Sequence, residues 1–165
     1  LLASSDAKTW TLHKRTINVD TLLITLYETY EPVCMKQNLE LKLHLSEESY
    51  PAMFTDKDRL FQILCVFMDN AIQHSKNNSL IEIEVIATEK NIAFSVADHG
   101  QGISDEDKQY IFDRFYSGDK SHTNKSNFGL GLSIAKELTQ MLNGTITIND
   151  TAGGGATFTV KFPLK

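Results

Sequence analysis

Ile92-Ala93-Phe94-Ser95-Val96-Ala97-Asp98 runs directly into His99-Gly100-Gln101-Gly102. Ile92, Phe94 and Val96 alternate with smaller or polar residues, the period of a strand with one buried face. The same period carries Asp98 onto the apolar side, where a carboxylate is costly unless hydrogen bonds reach it. Two readings of Asp98 stay open at this point. Nearby backbone amides or a water satisfy it, or it accepts from an exocyclic amine of a ligand such as adenine. Gly100 and Gly102 sit where a ring could lie against bare backbone, or simply where the chain turns. The segment is not a dinucleotide fingerprint, because position 105 is Asp rather than Gly.

On the amino-terminal side, Leu80–Ala87 reads as a second alternating strand. Before it, Asp56 caps a helix predicted over 57–75, in which Leu60, Ile63, Leu64, Phe67 and Ala71 form an apolar stripe. That helix ends in Asp69-Asn70-Ala71-Ile72-Gln73-His74-Ser75. Asn70 and His74 stand one turn apart and project toward the same rim. An amide oxygen at Asn70 suits Mg²⁺, which takes oxygen ligands and keeps several waters. Taken alone, Asn70 reads more simply as a polar helix flank and His74 as a capping or surface histidine.

Toward the carboxyl terminus, Ser104 with Asp107 resembles a capping box opening a short helix through Phe112. Ser117–Phe128 is polar and reads as a loop. Asn127-Phe128-Gly129-Leu130-Gly131-Leu132-Ser133 then opens a helix predicted over 130–142 and stopped by Asn143-Gly144. Amides at such a start favour an anion; a flexible hinge is the alternative, and two glycines at a helix start lean toward the anion site. Strands are expected at 145–149 and 156–162, joined through Gly153-Gly154-Gly155. Nearer the start, an edge strand is expected within 11–19 and a helix capped by Asp20 running to Lys36. Leu22, Leu23, Leu26, Tyr30 and Val33 form its stripe, and a strand follows at 39–45. The element order gives an α+β fold, a two-layer sandwich with helices on one face of a mostly antiparallel sheet.

The chain has 165 residues, enough for one domain, with 41% hydrophobic and 22% charged residues. Its formal charge of −5 argues against a nucleic-acid partner, which requires a basic surface. Cys34 and Cys65 follow no metal or disulfide spacing and read as core residues in a reducing compartment. No apolar run approaches the roughly 20 residues of a membrane span, and no signal peptide opens the chain. Residues 1–10 are expected to be the tail of an upstream segment, and 11–165 the domain proper.

Taken in order, DNAIQHS (69–75), DHGQGIS (98–104), FDRFY (112–116) and FGLGLSIAK (128–136) resemble the N, first glycine, F and second glycine boxes of sensor histidine kinase catalytic domains. Those domains belong to the wider superfamily of gyrase, Hsp90 and mismatch-repair ATPases, and the likeness spans residues 20–165. It implies the Bergerat fold with ATP and Mg²⁺ as ligands. By resemblance, Asp98 would bind the adenine amino group, with Gly100, Gly102, Ile103 and Phe112 around it. Asn70 would hold Mg²⁺ and His74 would pack on the nucleotide. Gly129 and Gly131 would hinge a lid formed by Ser117–Phe128, backbone amides near Leu130, Leu132 and Ser133 would approach the phosphates, and Arg114 or Lys120 would neutralise charge.

Two departures matter. Val66 stands where hydrolytic relatives place Glu one turn before the magnesium Asn, so ATP is expected to be held for transfer rather than hydrolysed. Gln73 stands where many members have Lys. None of His13, His44, His74, His99 and His122 has a phosphoacceptor context. The resemblance therefore implies an acceptor hairpin upstream, absent from this chain, and a fragment unable to phosphorylate itself. It also implies a cognate response regulator, a homodimeric parent anchored in the cell membrane, and this domain in the cytoplasm, monomeric when alone. A nucleotide-sensing binding module and a gyrase-type ATPase are the competing readings; FDRFY and Val66 disfavour the ATPase.

Overall fold

A computed structural model describes residues 11–113 and 129–164. Its elements are β1 (Arg15–Ile17), α1 (Val19–Lys36), β2 (Glu40–His44), β3 (Met53–Thr55), α2 (Lys57–His74), β4 (Leu80–Ala87), β5 (Asn91–Ala97), α3 (Asp105–Lys108), α4 (Gly129–Met141), β6 (Thr145–Asp150) and β7 (Ala156–Pro163). Five strands form one sheet in the order β2-β4-β5-β7-β6, while β1 and β3 pair apart from it. Within the large sheet only β2 and β4 run parallel; the other neighbours are antiparallel. The two-layer α/β sandwich expected from the element order is therefore the fold.

Alternation explains which sheet face is covered. Ile81, Ile83 and Val85 of β4, Ile92, Phe94 and Val96 of β5, and Phe158, Val160 and Phe162 of β7 are all buried. They meet Leu22, Leu23 and Leu26 of α1, Leu60, Ile63, Leu64 and Phe67 of α2, and Leu132, Ala135 and Leu138 of α4 in one core. Phe67 and Phe158 face each other across the layers with ring centroids 5.5 Å apart. Burying side chains of this size contributes roughly 1.5–3 kcal/mol each, which makes this interface the main source of stability.

Helix ends follow local chemistry with two corrections. Asn18, not Asp20, caps α1: its side chain accepts from Thr21 N, and Asp20 falls in the first turn. Ile17 and Leu22 are both buried on either side of the cap, a hydrophobic staple that fixes this start. The α1 stripe closes with Cys34 at 1% exposure, whereas Val33 is 38% exposed. Asp56 caps α2 as expected, accepting from Arg59 N at 3.1 Å and also from His13 N at 2.8 Å. Burial alone would push its carboxyl up, but those amides prevail and hold it below the usual range. Ser104 caps α3, which is one turn long rather than reaching Phe112. At the far end of α4, Asn143 adopts φ 65° and Gly144 N returns to Thr139 O at 2.9 Å. Cys34 and Cys65 are both free thiols, buried and half-buried.

Candidate functional site

Asp98 is 2% exposed at the end of β5, where the alternation placed it. Its Oδ1 accepts from Gly100 N at 2.9 Å and from Ala156 N at 3.2 Å, and its own N donates to Ala156 O at 3.0 Å. The backbone reading of Asp98 thus holds for one oxygen. Among the described residues no hydrogen bond reaches Oδ2, so one carboxylate oxygen is fixed and the other is uncommitted. Two charge-relevant amides on Oδ1 also orient the group, so it does not need a ligand in order to stay in place.

Gly100 has a reason that sequence alone did not supply. A Cβ there would stand 1.9 Å from the carbonyl oxygen of His74, so only glycine lets the loop seat against the end of α2. Gly155, which the sequence suggested only as part of a turn, is the counterpart from the other side. At φ +114° its missing Cβ would lie 2.1 Å from the carbonyl oxygen of Asp98. Gly102 (φ +79°) lies under the carbonyl of that same Gly155. Asp98 is therefore clasped between the end of α2 and the β6–β7 turn. No period or spacing points to Gly155; only its contact across the sheet does.

Asn70 is 5% exposed on α2, and no hydrogen bond to its amide occurs among the described residues. His74, half-buried, presents its main chain to Gly100. One turn before Asn70, Val66 lies 3.6 Å from where a Cβ of Gly131 would stand, so α4 crosses α2 beside Asn70. Leu132 points into the core at 1% exposure, leaving its main chain as the part open to a ligand role. Gly129 begins α4 one residue before the expected start, and Leu130 is in its first turn. Ile103 is half-buried against the core. Phe112 packs edge-on to Phe158 with centroids 6.5 Å apart, and Lys136 Nζ stands 5.8 Å from its ring centre. Phe112 is thus a core residue at the edge of the site. Arg114, Lys120 and the 117–128 segment lie outside the described residues.

The structure accordingly brings Asp98, Gly100, Gly102, Asn70 and His74 together at one end of the sheet, with the start of α4 beside Asn70. An open groove of about 610 Å³ lined by Lys14, Phe54, Leu142, Phe162 and Leu164 contains none of these residues. No cluster of three His, Cys, Asp or Glu able to hold a metal occurs among the described residues. Mg²⁺ held mainly by phosphates and water needs no such cluster, and one buried amide such as Asn70 fits it. Among the described residues no helix is long and apolar enough to cross a membrane.

Comparison with known proteins assigns the family and the fold. The family described as "Histidine kinase-, DNA gyrase B-, and HSP90-like ATPase" matches residues 55–165. Sensor protein CiaH of Streptococcus pneumoniae serotype 4 is 36% identical over 142 residues, covering 86% of this chain and 32% of CiaH. The chain thus spans about a third of that relative's length. Full-length ShkA, solved in complex with AMPPNP, superposes with a TM-score of 0.83 at 26% identity, over 96% of this chain and 33% of ShkA. Histidine kinase ThkA, solved in complex with the response regulator protein TrrA, shares the fold with a TM-score of 0.79 at 23% identity, over 93% of this chain and 42% of ThkA. The chain belongs to the histidine kinase-, DNA gyrase B- and HSP90-like ATPase family, as a catalytic domain of the histidine kinase kind.

Proposed function

We propose that this domain binds Mg-ATP and passes its γ-phosphoryl group to a histidine on an upstream segment of the same protein. The observation that carries the reading is Asp98, buried at a strand end with Oδ1 fixed by two amides and Oδ2 uncommitted. Oδ2 accepts the adenine amino group, while Gly100 and Gly102 let the loop beside it seat against the backbone of His74 and Gly155. The complex of the similar ShkA with AMPPNP supports a nucleotide here.

Asn70 supplies an amide oxygen to Mg²⁺, whose positive charge lowers the cost of crowding the phosphates. The amino-terminal turn of α4, with Gly129 to Leu132, offers amides and the positive dipole end to the same phosphates. Arg114 and Lys120 remain the basic candidates for the departing charge. The acceptor imidazole nitrogen attacks the γ-phosphorus; the bond to the β–γ bridging oxygen breaks, and ADP leaves with that electron pair. Positioning and neutralisation carry such a transfer, so no base on this domain is needed. Val66 puts hydrocarbon where a water-activating carboxylate would stand, which favours holding ATP over hydrolysing it.

By the same reasoning the full-length protein is a homodimeric sensor anchored in the membrane, with this domain in the cytoplasm. A response regulator receives the phosphoryl group; the complex of the similar ThkA with the response regulator protein TrrA supports such a partner. The test is to incubate γ-labelled ATP with the chain alone and with the segment preceding residue 1 of its parent. Acid-labile label should appear only on the added segment. Stoichiometric label on the chain alone, or ATP binding with no transfer at all, contradicts the reading.

A further inference from the structure

We propose that Tyr30, on the helix remote from the nucleotide, is a positioning residue that sets the rotation of α2 and hence the aim of Asn70. The inference rests on Asn70 serving Mg²⁺ as proposed above. Tyr30 is 8% exposed on α1, and its hydroxyl donates to Asp69 Oδ1 at 2.8 Å, with the carbonyl of Cys65 as a second acceptor at 3.2 Å. Cys65 and Asp69 are one helical turn apart, so a single hydroxyl grips α2 at two levels of one face. Asn70 is the next residue along, about 100° further round the helix.

The neighbouring face of α2, which carries Val66 and Asn70, is set differently. Val66, one turn before Asn70, meets the bare backbone of Gly131 on α4. That contact is hydrocarbon against glycine and carries no hydrogen bond. Asn70 itself makes no hydrogen bond among the described residues, so its own amide does not fix the helix either. Core packing seats α2, and the Tyr30 hydroxyl adds directional hydrogen bonds to it at the level of Asn70. A phenylalanine would fill the same volume, and Asp69, which is exposed, needs no partner for its solvation. What the bond adds is geometry. Burial, and then the bond to Asp69, push the phenol far above its ordinary range, so it remains a protonated donor at every working pH.

The experiment titrates the 165-residue chain with ATP by calorimetry, once with Mg²⁺ and once with EDTA, for wild type, Tyr30→Phe, Asp69→Ala, the double variant and Asn70→Ala. Each Tyr30 or Asp69 variant should lose about fivefold of the Mg²⁺-dependent gain in affinity, the worth of one ordinary hydrogen bond. Metal-free affinity should stay level, and the two losses should not add. A lower melting temperature with the Mg²⁺-to-EDTA ratio unchanged in both single variants overturns the proposal and leaves Tyr30 merely structural. If Asn70→Ala also leaves the ratio unchanged, the Asn70 assignment itself has failed, and the role of Tyr30 goes with it. Asp69 is exposed, so its variant keeps the test open should Tyr30→Phe fold poorly.

Discussion

Asp98 and Asn70 are buried to similar depth, 2% and 5% exposed, yet they are held in opposite ways. Asp98 pairs through its main chain with Ala156, and its Oδ1 takes two amides. Glycines on both sides let the backbone close around it. Asn70 has no hydrogen-bond partner among the described residues; its position is inherited from the helix that carries it. Under the proposed function, the adenine end would be built before any ligand arrives, whereas the phosphate end would be completed by what it binds. An interaction fixed in advance costs little to use, because the ordering entropy has already been spent in folding.

The comparison breaks most readily at the clasp. Gly100→Ala drives a methyl into the His74 carbonyl and Gly155→Ala drives one into the Asp98 carbonyl, both against backbone that has no rotamer to escape into. Each should cost about 3 kcal/mol or more in denaturant unfolding. Gly131→Ala, facing a 3.6 Å contact with Val66, is the matched control and should be near neutral or slightly stabilising. Equal losses at all three glycines would mean that the adenine end is no more tightly built than the rest.

At the phosphate end the expected effect is smaller and falls on the ligand. Asn70→Ala should leave the melting temperature nearly unchanged and weaken Mg-ATP binding about tenfold, with little change in EDTA. A large stability loss without a Mg²⁺-specific effect would make Asn70 a structural residue.

Smaller still is the cap that starts α2. Asp56→Ala should lose about 1 kcal/mol, the usual worth of an amino-terminal cap. The carboxyl is held below its ordinary range in the folded chain, so its contribution is complete above the unfolded value near pH 4. It fades as pH falls through the lower folded value. Wild type and variant should therefore differ at pH 7 and converge in acid; a difference that grew on acidification would reverse the sign.

How much of this could be read from the sequence follows from the range of each interaction. Asp56, Asn143 and Gly144 act within one turn, and β4, β5 and β7 declare themselves by alternation, so these were legible. Asp98 was legible as a buried carboxylate for the same reason. The parallel β2–β4 pair and the separate β1–β3 sheet join segments far apart in the chain, and no local pattern encodes them. The Gly100–His74 and Gly155–Asp98 contacts are invisible for the same cause, although they explain why glycine is required. Val33 and Asp20 were misplaced because neighbouring positions, Cys34 and Asn18, satisfy the same local rule and packing chooses between them.

The central claim is that Asp98 separates structure from ligand binding oxygen by oxygen. Asp98→Asn tests it most directly: the amide oxygen can still accept from Gly100 and Ala156, while the amide nitrogen meets the adenine amine donor to donor. Calorimetric titration with ATP, paired with a melting curve, should show a melting temperature within a few degrees of wild type and affinity lowered about a hundredfold. ATP binding at wild-type strength in a folded Asp98→Asn chain would contradict the account.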